Sequence, residues 1–157
     1  MKKPNLIIVA NRIRSLYNVG SIFRTCDAVG VEKLYLAGYT ASPKDKPIQL
    51  AKTALGAEQT VPWEKISTVA PIIKKHKKLG YQIIGLEEVK NKSIDYRKFQ
   101  PSAKIVLILG NEVKGISPGI QNQCDQLVSL PMLGKKKSLN VTVALGAIVY
   151  HILSKFK

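Results

Sequence analysis

Cysteine is scarce in this chain: two occur in 157 residues, and Cys26 and Cys124 show no C-x-x-C spacing. That excludes a disulfide framework and a thiolate zinc site, and leaves each cysteine as a small apolar interior residue. Histidine is equally scarce. His76 and His151 have no partner at metal-ligand spacing, so no metal site is expected. His76 stands inside the run Lys74-Lys75-His76-Lys77-Lys78 and is expected to be solvated on a helix. No apolar run approaches the ~20 residues that span a bilayer, so no membrane segment is expected. The apolar stretch near the N-terminus, Leu6 to Ala10, is too short for the core of a signal peptide. It reads as the first strand of a cytoplasmic protein.

Negative charge is the other shortage. Ten Asp and Glu face 25 Lys and Arg, for a formal charge of +15. A surplus this large on a small chain suits a polyanionic partner, nucleic acid before membrane, although a Lys-rich surface can serve solubility alone. Only four of the cations are arginine, and three of those four, Arg12, Arg14 and Arg24, fall within thirteen residues. Arginine suits bidentate phosphate contact where lysine is a point charge, so the cluster marks a phosphate-handling region. Apolar residues make up 45% of the chain, enough for a core, which excludes intrinsic disorder. The length suits one domain over 1–157, with no internal repeat and no linker.

Short apolar runs alternate with helical patterns. Strands are expected at Leu6–Ala10, Lys33–Ala37, Tyr81–Leu86, Lys104–Leu109 and Gln126–Leu130. Helices are expected at Asn18–Val29, closed by Gly30, at Glu64–Leu79 with a kink or split at Pro71, and at Pro118–Gln123 with Ser117 as cap. The longest helix is expected over Ser138–Phe156, capped by Ser138. The stretch from Gly38 to Pro62 reads as a long loop with one short helix or turn. This alternation, with strands apolar on both faces, predicts an α/β domain with a mostly parallel sheet and helices on both faces. The last helix is apolar around more than one face, so both sides should be covered. A homodimer built on it, or a deep groove in its own sheet, would do so.

Ligands of parallel sheets bind outside the C-terminal ends of the strands. After the fourth strand comes Leu109-Gly110-Asn111-Glu112-Val113-Lys114-Gly115-Ile116-Ser117. Its glycines have phosphate-loop spacing, but Ile116 stands where that motif needs Lys. No G-x-G-x-x-G is present either. After the fifth strand, Leu130-Pro131-Met132-Leu133-Gly134 makes a second turn, followed by Lys135-Lys136-Lys137 and Ser138-Leu139-Asn140. Such turns could line one crevice with backbone amides and carbonyls beside Leu and Met, which suits a flat purine with a thioether tail. No Ser-His-Asp, Cys-His or paired-carboxylate spacing is visible. A group transfer that brings its own reactive cofactor therefore fits better than hydrolysis.

Three segments together resemble the SpoU (TrmH-type) RNA ribose 2′-O-methyltransferases of the SPOUT superfamily. They are Asn18-Val19-Gly20-Ser21-Ile22-Phe23-Arg24-Thr25, running on through Asp27-Ala28 to Leu36-Ala37-Gly38; Leu109-Gly110-Asn111-Glu112 with Gly115-Ile116-Ser117; and Leu130-Pro131-Met132 with Gly134 and Ser138-Leu139-Asn140-Val141. They occur in the family's order over nearly the whole chain. Departures are mild: Leu130 stands where the family often has Ile, and Thr142 where it often has Ser.

The resemblance implies a C-terminal deep trefoil knot from about the fourth strand through the last helix, S-adenosylmethionine bound there, and a homodimer through the C-terminal helix. It implies cofactor contacts from Leu86, Gly110, Leu130, Met132 and Leu139, and a catalytic set of Asn18, Arg24, Glu112, Ser138 and Asn140. Arg24 would lie near the acceptor ribose, with Asn18 orienting it or the cofactor, and Glu112 holding Asn18 or Arg24. An arginine pKa above about 12 argues for phosphate fixing and oxyanion stabilisation rather than proton removal. Arg24 and Glu112 could instead be only a buried ion pair. RNA contact is expected from Arg12, Arg14, Lys135, Lys136 and Lys137, with tRNA and rRNA both open. The separate RNA-binding domain of many relatives is not expected within 1–157. Two alternatives remain at this point: a non-catalytic RNA-binding module on the same fold, and an enzyme that methylates a base.

Overall fold

The computed structural model of the chain describes residues 3–156. One sheet gathers seven strands: β1 (Asn5–Asn11), β2 (Lys33–Ala37), β3 (Trp63–Ile66), β4 (Gln82–Leu86), β5 (Ser93–Asp95), β6 (Lys104–Leu109) and β7 (Gln126–Ser129). Their order is β3-β2-β1-β6-β4-β7-β5, and every neighbouring pair is parallel. At the centre, β1 and β6 run in register from Asn5 beside Lys104 to Ala10 beside Leu109. Both are buried after their first residue. Strands covered on both faces lose water from every side chain, which is why these two read as unbroken apolar runs.

Helices cover both faces. On one side α1 (Leu16–Val29), α2 (Pro47–Ala54), α3 (Ala57–Thr60) and α6 (Val141–Ser154) pack on Leu6, Ile8, Leu34, Ile84, Ile105 and Leu107. On the other, α4 (Ala70–Lys78) and α5 (Pro118–Gln121) pack on the alternate residues Ile7, Val9, Tyr35, Ile83, Val106 and Ile108. The two cores thus follow the two-residue period of the strands. Ser15 caps α1 through its side chain, and Gly30 closes it in the left-handed region.

Several expectations need correction. Residues 64–79 are not one helix: Trp63–Ile66 is the edge strand β3, and the helix is confined to Ala70–Lys78. The open edge of β2 captures that segment, with Leu34 N–H donating to the Pro62 carbonyl and Gly38 N–H to that of Ile66. Pro71 falls in the first helical turn, where its missing N–H costs no helical bond, so it makes no kink. The stretch from Gly38 to Pro62 holds two helices, α2 and α3. The short β5 and the 3₁₀ turn at Tyr96–Lys98 had no expected counterpart. The last helix starts at Val141 with Asn140, not Ser138, as its cap. His76 is buried, with Nδ1 2.8 Å from the Ile72 carbonyl and its ring edge-on to Tyr35 and Tyr81. It shares the sheet-facing stripe of α4 with Ile72 and Ile73, a periodicity that the lysines around it hide.

Candidate active site

The strand order reverses around β1 and β6: β2 and β3 extend one way, and β4, β7 and β5 the other. Ligand crevices form at such switch points, beyond the carboxyl ends of the strands. A cavity of about 510 Å³ opens there. Its walls are Leu86 at the end of β4, Gly110 and Glu112 beyond β6, Leu130 and Met132 beyond β7, Ser138, Leu139 and Asn140 before α6, and Asn18 from α1. Gly110 is needed for close approach. A Cβ there would stand 2.4 Å from the Gly115 carbonyl carbon and 2.5 Å from the Ile116 nitrogen.

A hydrogen-bonded chain crosses one wall. Asn18 Nδ2 donates to Glu112 Oε1 at 3.0 Å, and Asn140 Nδ2 donates to Asn18 Oδ1 at 3.2 Å. Glu112 also accepts from the backbone N–H of Arg14 at 3.1 Å and of Ser15 at 3.2 Å. Its carboxylate thus accepts from the cap residue and the residue before it, just ahead of α1, where the positive end of the helix dipole favours an anion. Partial burial pushes the Glu112 carboxyl up, but the bonds from Asn18 and from backbone N–H groups outweigh it and hold it below its ordinary value. Glu112 holds Asn18 and the start of α1; it is not paired with Arg24.

Glu87 and Glu88 also line this cavity and escaped the sequence reading. Glu87 Oε2 accepts from the Ile116 N–H at 2.8 Å, pinning the loop after β6 to the end of β4. The available signal was an acidic pair directly after an apolar strand in a chain poor in acid. In a protein of charge +15, this cavity gathers three carboxylates and one cation, Lys137. S-adenosylmethionine brings a sulfonium and an ammonium together with a flat purine. Carboxylates answer the cations, and Leu86, Leu130, Met132 and Leu139 offer apolar surface to the purine. The residues present fit that cofactor.

The remaining candidates lie elsewhere. Arg24 is exposed on α1 and does not line the cavity. It stands six positions after Asn18, which places the two about 120° apart around the helix. Arg24 shares the outward stripe with Tyr17 and Ala28. Lys135 and Lys136 are exposed outside the cavity wall. Arg12 and Arg14 line a second cavity of about 780 Å³, beyond the ends of β1, β2 and β3. The fourth arginine, Arg97, is engaged by Asp95, whose carboxyl it holds down at about 2. Among the described residues, no three His, Cys, Asp or Glu side chains gather as a metal-ligand set, and no helix is long and apolar enough to cross a membrane.

A parallel sheet with a glycine-walled, carboxylate-lined cavity at its switch point, bounded by the segment leading into the last helix, places the chain among the α/β proteins that bind a ligand beyond the carboxyl ends of their strands. Residues 5–150 match the SpoU rRNA Methylase family. The tRNA (guanosine(18)-2′-O)-methyltransferase of Aquifex aeolicus is 36% identical over 150 residues, covering 96% of this chain and 69% of that protein. The crystal structure of the A. aeolicus TrmH/SpoU tRNA modifying enzyme matches with a TM-score of 0.86 at 33% identity, over 99% of this chain and 76% of that one. The AdoMet-bound SpoU methyltransferase AviRb of Streptomyces viridochromogenes matches with a TM-score of 0.85 at 27% identity, over 99% of this chain and 59% of its own. The chain spans about 60% of the length of several TrmH-family relatives from staphylococci. This chain belongs to the SpoU family.

Proposed function

We propose that the protein transfers a methyl group from S-adenosylmethionine to a ribose 2′-hydroxyl of RNA, tRNA or rRNA, and does so as a homodimer. The observation that carries the reading is the Asn140–Asn18–Glu112 chain set into the wall of the cavity that fits the cofactor. The acceptor chemistry comes from the A. aeolicus relative, which is named for 2′-O-methylation of a guanosine. S-adenosylmethionine supplies an activated methyl on a sulfonium. Leu86, Gly110, Leu130, Met132 and Leu139 hold it, while Asn18, Ser138 and Asn140 present polar atoms to the acceptor ribose.

Arg24 enters from a second copy in this reading. On α1, Tyr17, Ser21, Arg24 and Ala28 form one outward stripe, and Tyr17 is 75% exposed. On the adjoining α6, Leu145, Ile148, Val149 and Ile152 are buried, while Val143, Ala147 and Tyr150 face outward. Two such neighbouring stripes, made of aromatic, aliphatic and small side chains with one charged group, the Arg24 guanidinium, suit a two-fold contact that brings Arg24 to the partner's cavity. There the guanidinium fixes the acceptor phosphate and stabilises charge that develops on the attacking oxygen.

The reading takes in one domain over the described residues, with the deep knot of the family resemblance. β7 lies between β4 and β5, and the segment 130–140 shares a cavity wall with the ends of β4 and β6 before reaching α6. It also carries a cytoplasmic location, in keeping with an RNA substrate and two free thiols. The test is calorimetry with S-adenosylmethionine, followed by transfer of tritiated methyl to bulk tRNA and rRNA and nuclease digestion of the product. Micromolar cofactor binding and label on ribose are expected. Absence of binding, or label on a base, overturns the reading.

A further inference from the structure

The second cavity differs in charge from the first. Arg12, Arg14 and Lys114 line it, and no Asp or Glu does. Cations alone mean little in a chain of charge +15. The separation means more: three carboxylates gather in the first cavity and none in the second. Two of the four arginines stand here, in a chain that otherwise uses lysine.

An aromatic ring completes the wall. Tyr39 is 55% exposed, yet its hydroxyl is fixed by Asn111 Nδ2 at 2.7 Å. A half-exposed ring tethered at its polar end meets a base with little ordering cost. Asn111 organises the rest. Its Nδ2 also donates to the Arg12 carbonyl at 2.9 Å, and its Oδ1 accepts from the Val113 and Lys114 N–H groups at 2.9 and 2.8 Å. Arg12 holds a φ of +56°, uncommon for a side chain of its size. One buried amide therefore braces a strained turn, an aromatic ring and the Lys114 backbone together. Asn111, Val113 and Gly115 belong to the walls of both cavities. The loop 111–115 is a partition, with carboxylates on one side and cations on the other.

Resting on the methyl-transfer reading above, we propose that this second cavity seats a nucleotide flanking the acceptor in single-stranded RNA, its base on the Tyr39 ring and its phosphates on Arg14, Lys114 and Arg12. The volume, about 780 Å³, lies within the range of small-molecule sites. Stacking on an open ring beside backbone-tracking cations is how single strands are held without base-specific contacts.

The experiment measures anisotropy of a 5′-labelled dodecauridylate RNA across a salt series, with calorimetry of S-adenosylmethionine on each variant. Arg14→Gln combined with Lys114→Gln should weaken RNA binding about ten-fold or more and flatten the slope of log affinity against log salt by about 1.4, two single-strand phosphate contacts. Tyr39→Leu should weaken it about 5- to 100-fold with the slope unchanged, while Tyr39→Phe keeps most of the affinity because the ring remains. Cofactor affinity should stay at the wild-type value throughout. Wild-type RNA affinity and slope in the double variant and in Tyr39→Leu, with cofactor binding intact, overturn this proposal and leave the methyl-transfer reading standing. Capture of poly-glutamate but not of RNA by the wild type overturns it in favour of an acidic protein. A wild type that binds no cofactor sinks the underlying reading and this one with it.

Discussion

Asn18 accepts a hydrogen bond from Asn140 across 122 residues of sequence, and the direction of that bond is dictated by groups outside the pair. Asn140 Oδ1 caps α6 by accepting from the Thr142 N–H at 2.8 Å, so its amide nitrogen must point to Asn18. Asn18 meets it with oxygen and gives its own nitrogen to Glu112, a carboxylate that only accepts. The two helix starts and the loop after β6 thus fix both amides without ambiguity. Side chains oriented from outside in this way are the preorganised kind on which positioning of a substrate depends.

Glu112→Gln breaks that order, because one end of the new amide must face a donor. A loss of about 1–2 kcal/mol in urea unfolding is expected at neutral pH. The sign of its pH dependence follows from a folded-state pKa below the ordinary 4.5. The carboxylate's contribution is fully present above that value and is lost as pH falls through the lower folded value. The gap between wild type and variant should close in acid below about pH 4.5; a gap constant down to pH 3 would assign the stability to something other than charge.

The role of Arg24 can be tested without crystals. Arg24→Ala and Asn140→Ala should each lower methyl transfer by about 10²–10³. When the two variants are mixed and allowed to exchange subunits, a hybrid with Arg24 acting across the interface regains one intact site. Random pairing then restores about a quarter of wild-type activity. Arg24 acting within its own chain gives no recovery at any mixing ratio.

What the sequence made legible follows from where each signal is local. The central strands were readable because burial on both faces forces an unbroken apolar run, as in KIVLIL of β6. Start and stop of α1 were readable to within two residues because Gly30 marks its end locally. β3 was not, since the edge of β2 decides its conformation and its own residues carry no strand period. In the site, Asn18, Glu112 and Asn140 were picked out by resemblance, and no spacing rule could have joined them, because their contacts bridge α1, the β6 loop and α6. Glu87 and Glu88 carried only a weak signal, two acids in a basic chain. The separation of Arg24 from Asn18 on α1 follows from helix geometry alone and was available from the start.

Ala147 lies at the middle of the outward stripe of α6, between Val143 and Tyr150. Ala147→Glu places a charge against its own symmetry mate in a two-fold contact, where like charges repel and desolvate. Light scattering should report the mass of one chain for the variant and of two for wild type, and methyl transfer should fall with dimer content. Wild-type mass and activity in the variant would move the contact off α6.

Gly110 tests how tightly the cavity is built. The atoms nearest an added Cβ are all backbone: the Gly115 carbon at 2.4 Å, the Ile116 nitrogen at 2.5 Å and the Gly115 oxygen at 2.8 Å. None of them is free to retreat. Asn111 and Gly115 exchange backbone hydrogen bonds in both directions, the Asn111 side chain holds Val113 and Lys114, and Glu87 holds the Ile116 N–H. A methyl at this position must therefore tear part of that bracing or push the strand end of β6 away from β4. Gly110→Ala should cost about 1–3 kcal/mol in urea unfolding, the usual range for overpacking. Because the same loop walls the cofactor cavity, affinity for S-adenosylmethionine should fall more than ten-fold in calorimetry while the far-ultraviolet spectrum stays native. Retention of affinity within two-fold would mean that the loop gives way easily and that its bracing does not shape the cavity.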